Sequence, residues 1–289
     1  MSIRPAGSSS PRALVIRTAG TNCDAELMRA FSLAGAAPEL VHLDRLIAEP
    51  RRLEAFDLIG FPGGFSYGDD IASGRIFAMR ARERLYPALR DAARQGVPMI
   101  GVCNGFQIMV QIGLLPGPLA GEDWPEEEAP AQEVSLSFNS GNMFINDWFR
   151  VEGVPNTRCL WTQGLDDAVE DAQRDAVMRL PIAHGEGRFV TANAGTLERI
   201  ERAGQVALRY VDNPNGSVNG IAGICDATGR IFGLMPHPER YLEWVHHPFW
   251  TRLPATARET ETPGLRIFRN AVEAVGSQAR PAASSAATR

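Results

Sequence analysis

No run of about eighteen apolar residues occurs anywhere in this chain, so no segment reads as a membrane span. The opening stretch MSIRPAGSSSPR has no apolar core of the kind a secretory leader needs, and no such leader is expected. Cysteine is sparse: Cys23, Cys103, Cys159 and Cys225 are widely spaced, with no C-x-x-C pair. That spacing excludes a zinc ribbon and a dithiol redox motif and predicts reduced thiols in the cytoplasm. There is no long basic block, and the formal net charge is -5, which argues against nucleic acid as the main partner. No glycine-rich phosphate loop of the P-loop type is present. Of the five histidines, His246 and His247 are adjacent but have no cysteine or carboxylate at ligand spacing, so no metal is expected. No internal repeat is found.

What is present is a globular composition, 44% apolar over 289 residues, enough for a substantial core. Short apolar runs alternate with helical periodicity. RALVIR (12–17) reads as a strand, and Thr21 or Asn22 is placed to cap a helix from Asp24 to Ala34 that Gly35 ends. Further strands are expected at 39–43, 53–61 and 97–102. One helix is expected over 76–95, and another from Phe106 to Leu115. Such alternation implies an α/β fold, a mostly parallel central sheet with helices on both faces and a site beyond the carboxyl ends of the strands. The Pro-rich acidic stretch from Gly117 to Gln132 reads as a surface excursion. The second half is strand-rich, at 143–151, 177–182, 188–192, 205–210, 221–226 and 231–234. Asp226 to Gly229 suits a hairpin, and a last helix is expected over 265–275. One domain over 12–276 is expected, with 1–11 and 277–289 as disordered tails.

The chemistry centres on MIGVCNGFQ. Gly101 and Gly105 bracket Cys103 between an apparent strand and a helix, the spacing of a tight turn that lifts a nucleophile clear of the backbone. The helix N-terminus beside the thiol favours its reactive thiolate. The same residues also suit a core cysteine, and only partners decide between the two. His237 supplies one. It follows IFGLM and lies in PHPE, where the flanking prolines favour extended backbone. Residues two apart then face one way, so Glu239 accepts the second ring N–H, fixing the tautomer as in a nucleophile–base–orienter triad. FPGGFSYGD offers Gly63 and Gly64, whose backbone approaches a substrate unobstructed. The N–H groups of Gly64 and Asn104 are candidates for an oxyanion hole.

Together GVCNGFQ, FPGGFSYGD, PIAHGEGR, NPNGS and MPHPE resemble the class I (triad) glutamine amidotransferases. Within that class they resemble the glutaminase subunits of phosphoribosylformylglycinamidine synthase, over residues 13–275. The resemblance implies a flavodoxin-like fold, with Cys103 as nucleophile, His237 as base and acid and Glu239 as orienter. It implies that Gln107 helps hold glutamine and that His184, Gly185 and Glu186 line its pocket. It further implies no cofactor on this chain. ATP and magnesium are expected on a synthetase subunit that takes the ammonia to formylglycinamide ribonucleotide, with a small accessory subunit as third partner. The acidic excursion over 121–134 is longer than in bacterial subunits, and 160–175 is idiosyncratic. A glutaminase serving another acceptor, a non-catalytic regulatory homologue, and an esterase or peptidase with the same triad are the competing readings.

Overall fold

The structure, a computed structural model, describes residues 10–165 and 171–277. The first half builds parallel strands. β1 (Arg12–Arg17) buries its four central residues and leaves both arginines outside. α1 (Asp24–Ala34) buries Leu27, Ala30, Phe31 and Ala34, one helical face, and stops at Gly35 with φ +101°. Its N-cap is Cys23, not Asn22 or Thr21, and no side chain caps it. β2 (Ala37–His42) ends a residue before the sequence suggests. The His42 ring accepts from Asp44 N–H, and Leu43 and Leu46 turn inward as α2 (Leu43–Ala48). β3 (Leu58–Phe61) is shorter than expected because Pro50–Ala55 coils into a 3-10 turn. The long helix expected over 76–95 is two: α3 (Arg75–Arg84) and α4 (Tyr86–Arg94). Pro87 has no N–H to continue the first helix, yet suits the opening turn of the second. β4 (Met99–Val102) and α5 (Asn104–Ile112) follow, the latter closed by Gly113.

The second half contains β5 (Val134–Ser137), β6 (Ile145–Gly153), α6 (Asp171–Val177), β7 (Arg179–His184) and β8 (Arg188–Thr191). After them come α7 (Ala194–Arg202), β9 (Val206–Tyr210), β10 (Ile221–Cys225), β11 (Ile231–Leu234) and α8 (Pro263–Ser277). β5, α6 and α7 escape the sequence reading. β5 is four residues long, and α7 buries little beyond Thr196 and Ile200, so neither leaves a periodic signal. The expected tails lie outside the described residues except Ser10, Pro11 and Ser277. Pro11 is buried, its carbonyl accepting Ala37 N–H at 2.7 Å.

Nine strands form one sheet in the order β2-β1-β3-β4-β11-β10-β9-β6-β7, and β5 pairs with β8 apart from it. Pairing is parallel from β2 through β11 and antiparallel from β11 to β7. Only β10 and β6 therefore run against the rest. The carboxyl ends of β1, β3, β4, β11, β9 and β7 all reach one edge. β1 to β2 steps one way along the sheet and β3 to β4 the other, so right-handed crossovers set their helices on opposite faces. α1 packs with α8, and α3 with α5.

The acidic stretch is no loose excursion. Arg94 grips the Asp123 carboxylate with two N–H groups at 2.8 and 2.7 Å. Arg82 donates to the carbonyls of Gln111, Ile112, Ala129 and Pro130. Tyr86 Oη donates to Pro125 O, and Trp124 is buried beneath. Arginines on α3 and α4, distant in sequence, make the tie.

Candidate active site

Cys103 occupies the N-cap of α5 at φ +52°, ψ -108°, a conformation that costs a non-glycine residue of order 1–3 kcal/mol. The bracketing glycines are required by close packing. A Cβ on Gly105 would lie 1.9 Å from Phe61 O, and one on Gly101 2.3 Å from Met109 Sδ. α5 can thus begin directly against β3 and β4. The buried thiol faces Ala183 O at 3.8 Å, which brings the end of β7 to the nucleophile.

His237 and Glu239, from the turn after β11, meet: Nδ1 and Oε1 are 2.6 Å apart, both side chains buried. The backbone there is not extended as the prolines suggest. Pro238 opens a 3-10 turn, Pro238–Arg240, and the pairing is made within that turn. The His237 N–H donates to Pro181 O at 2.8 Å, tying the turn to β7. Burial alone would lower the His237 pKa, but the Glu239 carboxylate and Cys103 outweigh it and hold the ring well above its ordinary value. Nε2 has no hydrogen-bond partner among the described residues.

A second cysteine borders this pair, and the sequence reading passes over it. Cys23 Sγ accepts from the Arg240 guanidinium at 3.0 Å. Ligand-type atoms of Cys23, His237 and Glu239 lie within 4.8 Å of one another. Its place in the turn after β1 is the signal that identifies it, since such turns collect at the site edge. His247, by contrast, contacts Ala176 O at 2.8 Å.

The segment after β3 is laced to the segment after β1. Cys23 N–H donates to Gly63 O (3.2 Å), Phe65 N–H to Gly20 O (2.9 Å) and Tyr67 N–H to Ala19 O (2.8 Å). In a trans peptide the C=O and the following N–H point oppositely. Anchoring Gly63 O on α1's cap therefore turns the Gly64 N–H away from α1. Gly64 sits at φ +137°, which only glycine adopts freely. A Cβ on Gly63 would stand 2.9 Å from His237 Cε1, so this glycine makes room for the ring.

Polar side chains of α5 brace the far wall. Asn104 Nδ2 donates to Gln107 Oε1 at 3.0 Å, and Gln107 Nε2 to Glu186 O at 2.5 Å. Asn104 Oδ1 accepts Ser66 N–H at 3.3 Å. Gln107 thus spends its amide on protein groups and fixes the 184–186 segment. Gly185 O accepts Asn139 N–H at 2.9 Å. His184 is buried against Asn139 Oδ1 at 3.1 Å. Burial and the neighbouring His237 depress its pKa to about 4. Asn139 and Asp69 also escape the sequence reading. The Asp69 carboxylate accepts from Gly74 N and Ser73 Oγ and so shapes the loop below Asn104.

Cys103, the paired His237 and Glu239 and an oriented glycine strand thus share one edge. Comparison with known proteins identifies the family. Residues 10–275 match the family model described as the CobB/CobQ-like glutamine amidotransferase domain. The chain is 39% identical over 275 residues to phosphoribosylformylglycinamidine synthase subunit PurQ of Dehalococcoides mccartyi, covering 92% of this chain and 98% of that one. It belongs to the PurQ family of glutamine amidotransferases. The PurQ subunit of Methanococcus maripaludis strain S2 is 36% identical, with 91% and 97% covered. Among solved structures, PurLQS from Thermotoga maritima aligns with a TM-score of 0.67 at 32% identity, over 92% of this chain and 100% of that one. No helix among the described residues is long and apolar enough to cross a membrane.

Proposed function

We infer that the chain is the glutaminase subunit of phosphoribosylformylglycinamidine synthase. It cleaves glutamine to glutamate and ammonia and passes the ammonia to a synthetase subunit. The observation that carries this reading is the buried His237–Glu239 pair in the turn after β11, the strand whose Leu234 O accepts the Cys103 N–H at 2.8 Å, in a chain of the PurQ family.

The chemistry follows from the groups present. The Cys103 thiolate adds to the side-chain carboxamide carbon of glutamine. The carbonyl oxygen becomes an oxyanion facing the Gly64 and Asn104 N–H groups. His237, protonated and held by Glu239, gives its proton to the departing nitrogen as the C–N bond breaks, leaving a thioester and ammonia. Neutral His237 then takes a proton from water. The hydroxide adds to the thioester, and the Cys103 sulfur leaves with glutamate as product. Asn104, Gln107, Gly185 and Glu186 form the wall against which glutamine is held.

Converting formylglycinamide ribonucleotide to its amidine requires phosphoryl activation, and this chain has no phosphate loop. ATP and magnesium therefore belong to the synthetase partner, with a small accessory subunit completing the complex. The site mouth suits such a partner. Phe65 and Phe144 stack at 6.4 Å, and Phe65, Ile71, Phe138, Met143 and Phe144 are all exposed.

The test uses the reconstituted complex. Cys103→Ala should abolish amidine formation from glutamine while synthesis from added ammonium salt stays within about twofold of wild type. Continued use of glutamine by that variant overturns the reading.

A further inference from the structure

Asn139 decides what His184 offers to the site. Its Nδ2 donates to His184 O at 2.8 Å and to Met143 O at 2.9 Å. Two carbonyls on one end fix the amide orientation, so the other end is the oxygen. That Oδ1 accepts Gly187 N–H at 3.2 Å and stands 3.1 Å from His184 Nδ1. His184 Nδ1 must therefore carry the hydrogen, and Nε2 is left as a bare acceptor. Nε2 is buried and has no partner among the described residues. An unsatisfied buried acceptor is costly, and a bound N–H donor would satisfy it.

A donor to Nε2 would sit at the carboxyl edge of the sheet, where β7 ends at His184. His184 directly follows Ala183, whose carbonyl is 3.8 Å from Cys103 Sγ. The ring also packs on Gly187, where any Cβ would stand 2.1 to 2.5 Å from its atoms, so glycine is needed there to leave it room.

We propose that His184 Nε2 accepts an N–H of the glutamine carboxamide, and that Asn139 is the positioning residue that keeps this nitrogen bare. The inference rests on the glutaminase reading above. It gives the site a reason to prefer an amide over a carboxylate: glutamate has no N–H to offer there. It also keeps the product nucleophilic. When the C–N bond breaks, the same contact becomes one to ammonia. With its pKa near 4, His184 accepts a hydrogen bond without giving up a proton, so it does not turn ammonia into ammonium.

The experiment compares two reactions of Cys103 in the assembled complex. Glutamine needs the N–H contact, whereas a glutamine-shaped chloroketone has no N–H at that position and alkylates the thiolate directly. His184→Phe should lose about 10- to 100-fold in kcat/KM for glutamine. Its chloroketone labelling and its ammonia-dependent synthesis should stay within about threefold of wild type. His184→Gln, which restores an acceptor oxygen, should recover part of the loss. Asn139→Asp sets a carboxylate against Nδ1 and favours imidazolium, whose Nε2–H cannot accept. The ratio of variant to wild-type kcat/KM should therefore rise with pH between about 6 and 9.

Equal losses of glutamine use and labelling in His184→Phe reduce His184 to a packing role and overturn the proposal. Full glutamine use by His184→Phe, or a pH-independent ratio for a folded Asn139→Asp, does so as well. Should Asn139→Asp fail to fold, the two His184 variants decide alone. If wild type is neither labelled at Cys103 nor able to use glutamine, the glutaminase reading itself has failed, and this inference falls with it.

Discussion

Glu239 Oε1 lies 2.6 Å from His237 Nδ1, and both side chains are closed off from water. A ring held above its ordinary pKa in the fold binds its proton more tightly there than in the unfolded chain. The stabilisation from that binding is fully present below the unfolded value of about 6.5 and is lost as pH rises through the folded one. Glu239→Gln should therefore lower the melting temperature most near pH 6, with the gap to wild type narrowing as pH rises. Its glutamine-dependent kcat should fall by about 10³-fold or more, because the base loses its orienting charge. Melting curves at several pH values and steady-state rates check both.

Gly63→Ala should separate folding from chemistry. The added methyl would stand 2.9 Å from His237 Cε1 and 3.2 Å from Cys23 Sγ, so the ring has to shift. A misplaced base costs about 10²-fold in kcat. The melting point should change little beside that. Unchanged turnover would mean that the ring has another position from which to work.

The strained backbone at Cys103 should appear in stability measurements. Cys103→Gly relieves a positive φ that Cys103→Ala keeps. Neither variant should use glutamine. The glycine variant should be more stable than the alanine variant by about 1 kcal/mol in urea unfolding.

Arg82 and Arg94 both hold the acidic segment, yet they should differ in weight. Arg82→Met leaves four carbonyls without this donor and should cost about 1–3 kcal/mol. Arg94→Met breaks an ion pair whose Asp123 side chain is 72% exposed, and it should shift the urea midpoint less than Arg82→Met does. Urea midpoints of the two variants give the comparison.

The apolar rim should matter to assembly alone. Phe138→Ser combined with Met143→Ser removes two exposed side chains outside the triad. The affinity for the synthetase subunit should drop by about tenfold or more, while chloroketone labelling of the isolated chain is unaffected. Sedimentation of mixtures measures the first and mass spectrometry the second.

The sequence made the site legible where function constrains residues locally. Gly101, Cys103 and Gly105 fall within five positions, and His237 and Glu239 within three, so their chemistry can be read without a fold. Asn139 and Cys23 were not legible because their meaning is entirely tertiary. Asn139 lies 45 residues from the histidine it fixes, and Cys23 lies 217 from its arginine. The fold behaved likewise. Strands with apolar hearts, such as Leu58–Phe61 and Ile231–Leu234, stood out. The break between α3 and α4 did not, because helical periodicity carries straight through it although Pro87 marks the spot. The sequence predicts the His237–Glu239 pairing but not its backbone, since a 3-10 turn and an extended segment can both bring residues two apart together.

The position of β11 has a consequence for the protein's birth. Among the described residues it is the last strand along the chain, yet it pairs with β4 on one side and β10 on the other and so joins the two halves of the sheet. While the polypeptide is being made, the strand pairing that joins the parallel half to the antiparallel half waits until residue 234 has emerged from the ribosome, and His237 follows three residues later. A chain truncated before that point should lack both this pairing and His237, and should leave the β4 and β10 edges exposed.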